Sequence, residues 1–227
     1  NPRKIRRPSS SFFILQDPLE PLRFVKKIRV SVRLLLVNEK GSLAYLYLEG
    51  KDEYGLRQHY ESIGGGVEKH ETLEEALFRE LKEETGYELE SFSYLHSVID
   101  AYAKFQQLNI HHYYVVRGRK KEKPLFTEFE KRLRIRLDFN EPERWLRVFQ
   151  KPAFGVDALV HQREYVMLAY FLNQSKRLPV LSDYHKRLND TVFSAHLEIE
   201  QWPQILLHHP HDLDRLKYLA HFLYEAR

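Results

Sequence analysis

The stretch that most constrains this chain runs from Gly64 to Tyr87, GGGVEKHETLEEALFRELKEETGY, a glycine run leading straight into a helix. Thr72 stands where it can cap that helix, Glu75 three residues on completes a capping box, and Gly86 provides the stop. At 100° per residue Leu73, Ala76 and Leu77 share one face, Glu80 and Glu84 continue it, and Glu83 lies one step round. Phe78, Lys82, Glu74 and Glu75 point elsewhere. Carboxylates therefore gather where the helix should meet the body of the protein. Buried charge of one sign is costly unless a cation neutralises it. A hard divalent ion with oxygen ligands meets that need, and Mg²⁺ typically takes few carboxylates together with substrate phosphates. The glycines let backbone approach phosphate closely, and the helix offers its positive end nearby. Most glutamate-rich helices are simply solvated faces, so charge alone does not decide the matter.

Spacing decides it. Gly65, Glu71, Arg79, Glu80, Leu81, Glu83, Glu84, Gly86 and Tyr87 fall in one register. That register resembles the Nudix box: Gly, five residues, Glu, seven residues, Arg-Glu, an apolar residue, any residue, Glu-Glu, any residue, Gly and an apolar residue. Seven fixed identities at ordinary residue frequencies give odds of roughly one in ten million for a chance match. The resemblance implies an α/β fold, the Nudix α/β/α sandwich around a mixed sheet. It also implies Mg²⁺-dependent hydrolysis, with Mn²⁺ as an alternative, of a nucleoside diphosphate linked to another moiety. Dinucleoside polyphosphates, nucleotide sugars and nucleoside triphosphates are all in scope.

Carried over residue by residue, Glu80 and Glu84 correspond to the principal metal ligands, with Glu83 a further or water-mediated one and the Gly64 carbonyl an additional one. Arg79 and Glu71 resemble the pair that orients the helix. Glu80 is the first choice for the catalytic base and a loop glutamate (Glu128, Glu130, Glu141 or Glu143) the second. Gly65 and Gly66 are expected to meet the substrate. Three positions depart from the common pattern: His70 where glycine is usual, Ile63 where proline often stands, and Tyr87 for an aliphatic residue. None removes a ligand. Some sixteen residues past the box stands Asp100-Ala101-Tyr102-Ala103, where a tyrosine resembles the dinucleoside-polyphosphate group. Two readings compete with hydrolysis, a nucleotide-sensing module of the same fold without catalysis and an isoprenyl diphosphate isomerase. The first often lacks box glutamates, and the second resembles chemistry that relies on a cysteine; this chain keeps the glutamates and has no cysteine.

The remaining chain divides into three. Residues 1–27, with RKIRRPSSS and four prolines, read as a basic N-terminal tail. The Nudix domain is expected over 28–155, and a C-terminal helical extension over 156–227. IRVSVRLLLV (28–37) reads as a central strand with Val30, Val32, Leu34 and Leu36 on one face and Arg29, Ser31, Arg33, Leu35 and Val37 on the other. Arg33 in so apolar a strand should meet an anion or a carboxylate, as a substrate contact or a structural ion pair. LAYLYLE makes a second strand, GKDEYGLRQHY a loop, and Glu88–Tyr94, His96–Phe105, Ile110–Arg117 and Leu133–Phe139 further short strands. His111 and His112, being adjacent, face opposite sides, so only one can reach a site. Tyr102, Tyr113 and Tyr114 are candidates for stacking on a base, against packing in the core. Helices are expected from Ala158 and near Tyr184–Ile199 and Asp212–Ala226.

Composition narrows the class further. With no cysteine, disulfides, thiolate nucleophiles and Cys-ligated zinc are excluded, which fits a cytoplasmic protein. No apolar run approaches the ~18–20 residues of a membrane span. Residues 1–33 hold nine Lys/Arg against Asp17 and Glu20, a bias that suits phosphate-bearing partners. Residues 156–227 hold eight Lys/Arg against nine Asp/Glu and no glycine, which argues against a nucleic-acid-reading module. The expected partner is a nucleotide-type small molecule. The extension packs on the preceding domain or on a second subunit, so a homodimer stays open.

Overall fold

A computed structural model of the chain describes residues 11–15, 27–52, 55–102, 105–126, 130–151, 159–174 and 192–196. The strands are β1 (Ser11–Leu15), β2 (Lys27–Val37), β3 (Leu43–Asp52), β4 (Gly55–Glu61), β5 (Tyr87–Tyr102), β6 (Gln107–Lys120), β7 (Arg134–Asn140) and β8 (Val192–His196). The helices are α1 (Leu73–Thr85), α2 (Pro142–Phe149) and α3 (Leu159–Gln174). The strand order is β4-β3-β2-β6-β5-β1-β8, with β7 on the other side of β3. β2 runs parallel to β6 and β1 parallel to β5, while the other pairings are antiparallel, so the sheet is mixed.

The alternation of β2 builds two cores. Val32, Leu34 and Leu36 pack with Ala76, Leu77 and Leu81 of α1 on one side. Leu35 and Val37 pack on the other with Tyr45, with Trp145 and Phe149 of α2, and with Met167 and Leu172 of α3. Trp145 satisfies its indole N–H on the Leu43 carbonyl at 2.8 Å, as a buried tryptophan requires. The result is the α/β/α sandwich that the resemblance implies. Among the described residues no helix is long and apolar enough to cross a membrane.

Four local expectations change. GKDEYGLRQHY is a hairpin rather than a loop, because β3 continues to Asp52 and β4 begins at Gly55. The two strands expected on either side of Leu95 are one strand, β5, and the break survives only as register shifts at Leu89/Ser91 and Tyr94/His96. Ser11–Leu15, expected in an extended tail, pairs with β5 and β8. Val192–His196, expected within a helix, is β8. α3 lies where the first helix of the extension was expected. The helix expected near Asp212–Ala226 lies outside the described residues.

Candidate active site

The capping box at the start of α1 forms as its spacing predicts. Thr72 Oγ1 accepts from the Glu75 N–H at 3.1 Å, and Glu75 returns the bond to the Thr72 N–H at 2.8 Å. Gly86 ends the helix at φ 70°, and an added Cβ would lie 2.1 Å from the Glu122 carbonyl oxygen. Ala76, Leu77, Glu80 and Leu81 are buried, and Phe78 and Lys82 are exposed.

The glycine run is laid along β2 by three backbone bonds: Leu34 N–H to the Ile63 carbonyl, Val32 N–H to that of Gly65, and Val67 N–H to that of Val30. This brings Gly64 so close to β2 that a Cβ there would stand 2.2 Å from the Val32 carbonyl oxygen. From the other side Glu84 accepts from the Gly64 N–H at 2.6 Å, and the Glu80 carboxylate lies where a Cβ on Gly65 would be, 2.4 Å from it. Glycine is therefore required at Gly64 by the backbone of β2, whereas a side chain at Gly65 would displace the Glu80 carboxylate.

Arg79 ties the run to the helix. It grips Glu71 through two parallel bonds of 2.8 and 2.9 Å, donates to the Gly66 carbonyl at 3.0 Å, and reaches Glu80 at 2.7 Å and Glu83 at 3.3 Å. Arg33, nearly fully buried, donates to the carbonyls of Ser62 and Gly64 at 3.2 and 3.0 Å and lies 3.8 Å from Glu61. The Gly64 carbonyl thus carries a guanidinium bond here.

A cavity of about 350 Å³ opens beside these groups, lined by Gly64, Gly65, Gly66, Glu80, Glu84 and Arg33 among others. Glu83, Arg79 and Glu71 are not among its lining residues; Arg79 bonds the other two and Glu80, which is one. β5 ends at Tyr102, in register with Gln107; the tyrosine side chain lies outside the described residues, as does Glu128. Glu141 instead precedes α2 and accepts from Ser42 Oγ at 3.0 Å. Tyr113 and Tyr114 are buried, in the packing role.

Of the expected pair His111 and His112, it is His111 that lines the cavity, whereas Glu61, Asn109 and Arg163 were missed by sequence reasoning. Glu61 ends β4 and faces Arg33; burial would raise its pKa, but His59, Arg33 and Arg57 outweigh burial and hold it below the usual carboxylate range. Its signal was an acidic residue three positions before the glycine run. Asn109 and His111 reach the cavity from β6, and Arg163 from α3. The alternation QLNIH was the signal on β6. For α3 it was a charged pair, Arg163-Glu164, inside an otherwise apolar helix. Both are buried, and Glu164 accepts from Ser62 Oγ at 2.8 Å, Tyr113 Oη at 3.1 Å and Arg163 at 3.3 Å.

The donor set suits a hard cation. Burial, opposed by Arg79 and Arg33, raises the pKa of Glu80. Burial, and then the charges of Glu80 and Glu61, raise that of Glu84 well above the ordinary value despite the bond from Gly64. Crowded carboxylates that favour protonation are short of positive charge. Among the described residues no three acidic or histidine side chains are grouped as a ligand cage. In this state Glu80 is satisfied by Arg79, and Glu84 by the Gly64 amide.

A sequence model of the NUDIX domain matches residues 27–154, 128 of the 227 in the chain. The chain belongs to the Nudix family. An RNA pyrophosphohydrolase from Marinomonas sp. (strain MWYL1) is 43% identical over 58 residues, which are 26% of this chain and 32% of that relative. Among solved structures, an ADP compounds hydrolase aligns over 69% of this chain and 78% of its own at 16% identity and a TM-score of 0.51. A NUDIX hydrolase from Nitrosomonas europaea aligns over 68% and 94% at 15% identity and a TM-score of 0.50. At these identities the structural likeness concerns the Nudix fold. α3 begins beyond the matched residues.

Proposed function

We propose that this Nudix protein is a pyrophosphohydrolase that uses a divalent cation to cleave the phosphoanhydride of a nucleoside diphosphate linked to another group. The observation that carries this reading is the apposition of Glu80 and Glu84 to the Gly64–Gly65 backbone in one cavity that also holds Arg33. Glu80 and Glu84, with Glu83 at their margin, are the groups that would hold Mg²⁺, and Mn²⁺ fits the same oxygen donors. When bound, such an ion would supply positive charge for the non-bridging phosphate oxygens and for lowering the pKa of the attacking water.

The protein's own part is to position and to take a proton. Arg79 and Glu71 hold the start of α1 against the glycine run, so the carboxylates keep their distance from the backbone amides. Arg33 fixes the carbonyls of that run and adds positive charge at the wall. Glu80, in the cavity wall, is our choice for the group that takes the proton from the attacking water.

Glu84→Gln should lower kcat at least a hundredfold on nucleotide anhydrides in Mg²⁺, with an unchanged far-UV spectrum. Chelation should abolish turnover, and Mg²⁺ should restore it. Unchanged turnover in the variant would remove the assignment. A screen of dinucleoside polyphosphates, nucleotide sugars and nucleoside triphosphates, read by released phosphate after phosphatase treatment, identifies the leaving group.

A further inference from the structure

The cavity has a second wall of different chemistry. β6 alternates, so Gln107, Asn109 and His111 turn to one face and Leu108 and Ile110 to the other; the first three line the cavity, and the last two are fully buried. None of the three is a cation at neutral pH. Burial and the Arg163 charge bring His111 down to about 3. This wall is therefore neutral and rich in hydrogen bonds, beside a glycine and carboxylate wall suited to phosphate.

The wall is rigidly built. Asp100, fully buried, accepts from Asn109 Nδ2 at 2.7 Å, from His111 Nε2 at 2.9 Å and from Arg163 Nη1 at 3.1 Å. A carboxylate that only accepts fixes the Asn109 amide with its nitrogen inward. The Asn109 oxygen is turned the other way and accepts from Gln107 Nε2 at 2.5 Å. That bond uses one N–H of the Gln107 amide and leaves its carbonyl oxygen and second N–H for another partner. At the rim Phe105 lines the same cavity with 40% of its surface exposed. A planar ring and, two residues on in the same cavity, an amide that offers an adjacent donor and acceptor suit a nucleobase, which has a face to stack and a complementary edge to read.

We propose that Phe105 and Gln107, oriented by Asn109 and Asp100, form the subsite that binds the nucleobase of the substrate. The proposal rests on the phosphoanhydride reading of this cavity, yet the two can fail separately. Gln107→Leu and Phe105→Ala keep the buried Asp100 cluster intact. Each should raise KM for the best nucleotide substrate about tenfold or more with kcat changed less than threefold. Each should leave the hydrolysis of inorganic tripolyphosphate unchanged. Binding of AMP, GMP, CMP and UMP to the full chain, measured by calorimetry, should weaken in parallel, whereas binding of ribose 5-phosphate should not.

Nucleotide binding that is lost in these variants, in a protein that hydrolyses no anhydride, would retain the subsite and overturn the catalytic reading. An unmoved KM would remove the subsite and leave the hydrolase. So would equal losses for tripolyphosphate or ribose 5-phosphate, or a wild-type protein that binds none of the four monophosphates.

Discussion

At the scale of single residues, backbone geometry separates what sequence shows from what it hides. Gly64 at φ 127° faces the Val32 carbonyl, so both conformation and space exclude a side chain. His70, in the turn before α1, adopts φ 71° although it is not a glycine. A left-handed residue other than glycine costs about 1–2 kcal/mol, partly offset by the looser unfolded chain that glycine would bring. His70→Gly should therefore stabilise the protein by about 0.5–1 kcal/mol, read as a higher denaturant midpoint at unchanged slope. A lower midpoint would show that His70 makes a favourable contact that outweighs its strain. Arg33 was legible as a cation that must find a partner. Its partners, Glu61 and two loop carbonyls, were not, because they come from a segment about thirty residues away.

At the scale of elements, α1 was readable almost atom for atom. Its cap, its stop and its carboxylate face all follow from spacing within about twenty residues, where helical geometry is nearly invariant. The role of Arg79 depends on a planar fork that spans Glu71 and Gly66 on the loop and Glu80 and Glu83 on the helix. Lysine keeps the charge but cannot make parallel bonds. Arg79→Lys should lower kcat tenfold or more while the far-UV spectrum keeps its helical signal. Full activity in that variant would reduce the pair to a simple charge contact. β5 and β6 were harder to read, because bulges on β5 shift the alternation that marks a strand. The polar ladder Gln107, Asn109 and His111 carries a period of two, yet only its partner strands decide which face meets a cavity.

At the scale of the whole molecule, buried titratable groups tie stability to pH. His111 and His112 are each lowered to about 3 from an ordinary value of 6.5, chiefly by burial. Between those values the unfolded chain binds protons that the folded chain refuses, so stability falls as pH falls from about 6.5 towards 3. Asp100 adds to this at the lower end, because its depressed pKa makes its contribution fade only below the ordinary aspartate range. Glu80 and Glu84, with raised values, work in the opposite sense over the same window, so the histidine contribution is read by comparison: His112→Gln should change the slope of stability against pH between pH 7 and pH 4 by up to one proton relative to the unsubstituted protein. An unaltered slope would mean that His112 titrates normally in the fold. Legibility also differed at this scale. The Nudix box announced the fold and the carboxylate half of the site, because those residues are local and bound to one helical period. Strands β1 and β8 pair Ser11 with His196 across nearly the whole chain, and Arg163 reaches Asp100 from α3, 63 residues further along. The sequence by itself determined where charge must be neutralised and which turn needs glycine. Only the tertiary structure decided which distant side chains close the cavity, since such contacts depend on strand order and layer packing, which leave no periodic mark on the residues that make them.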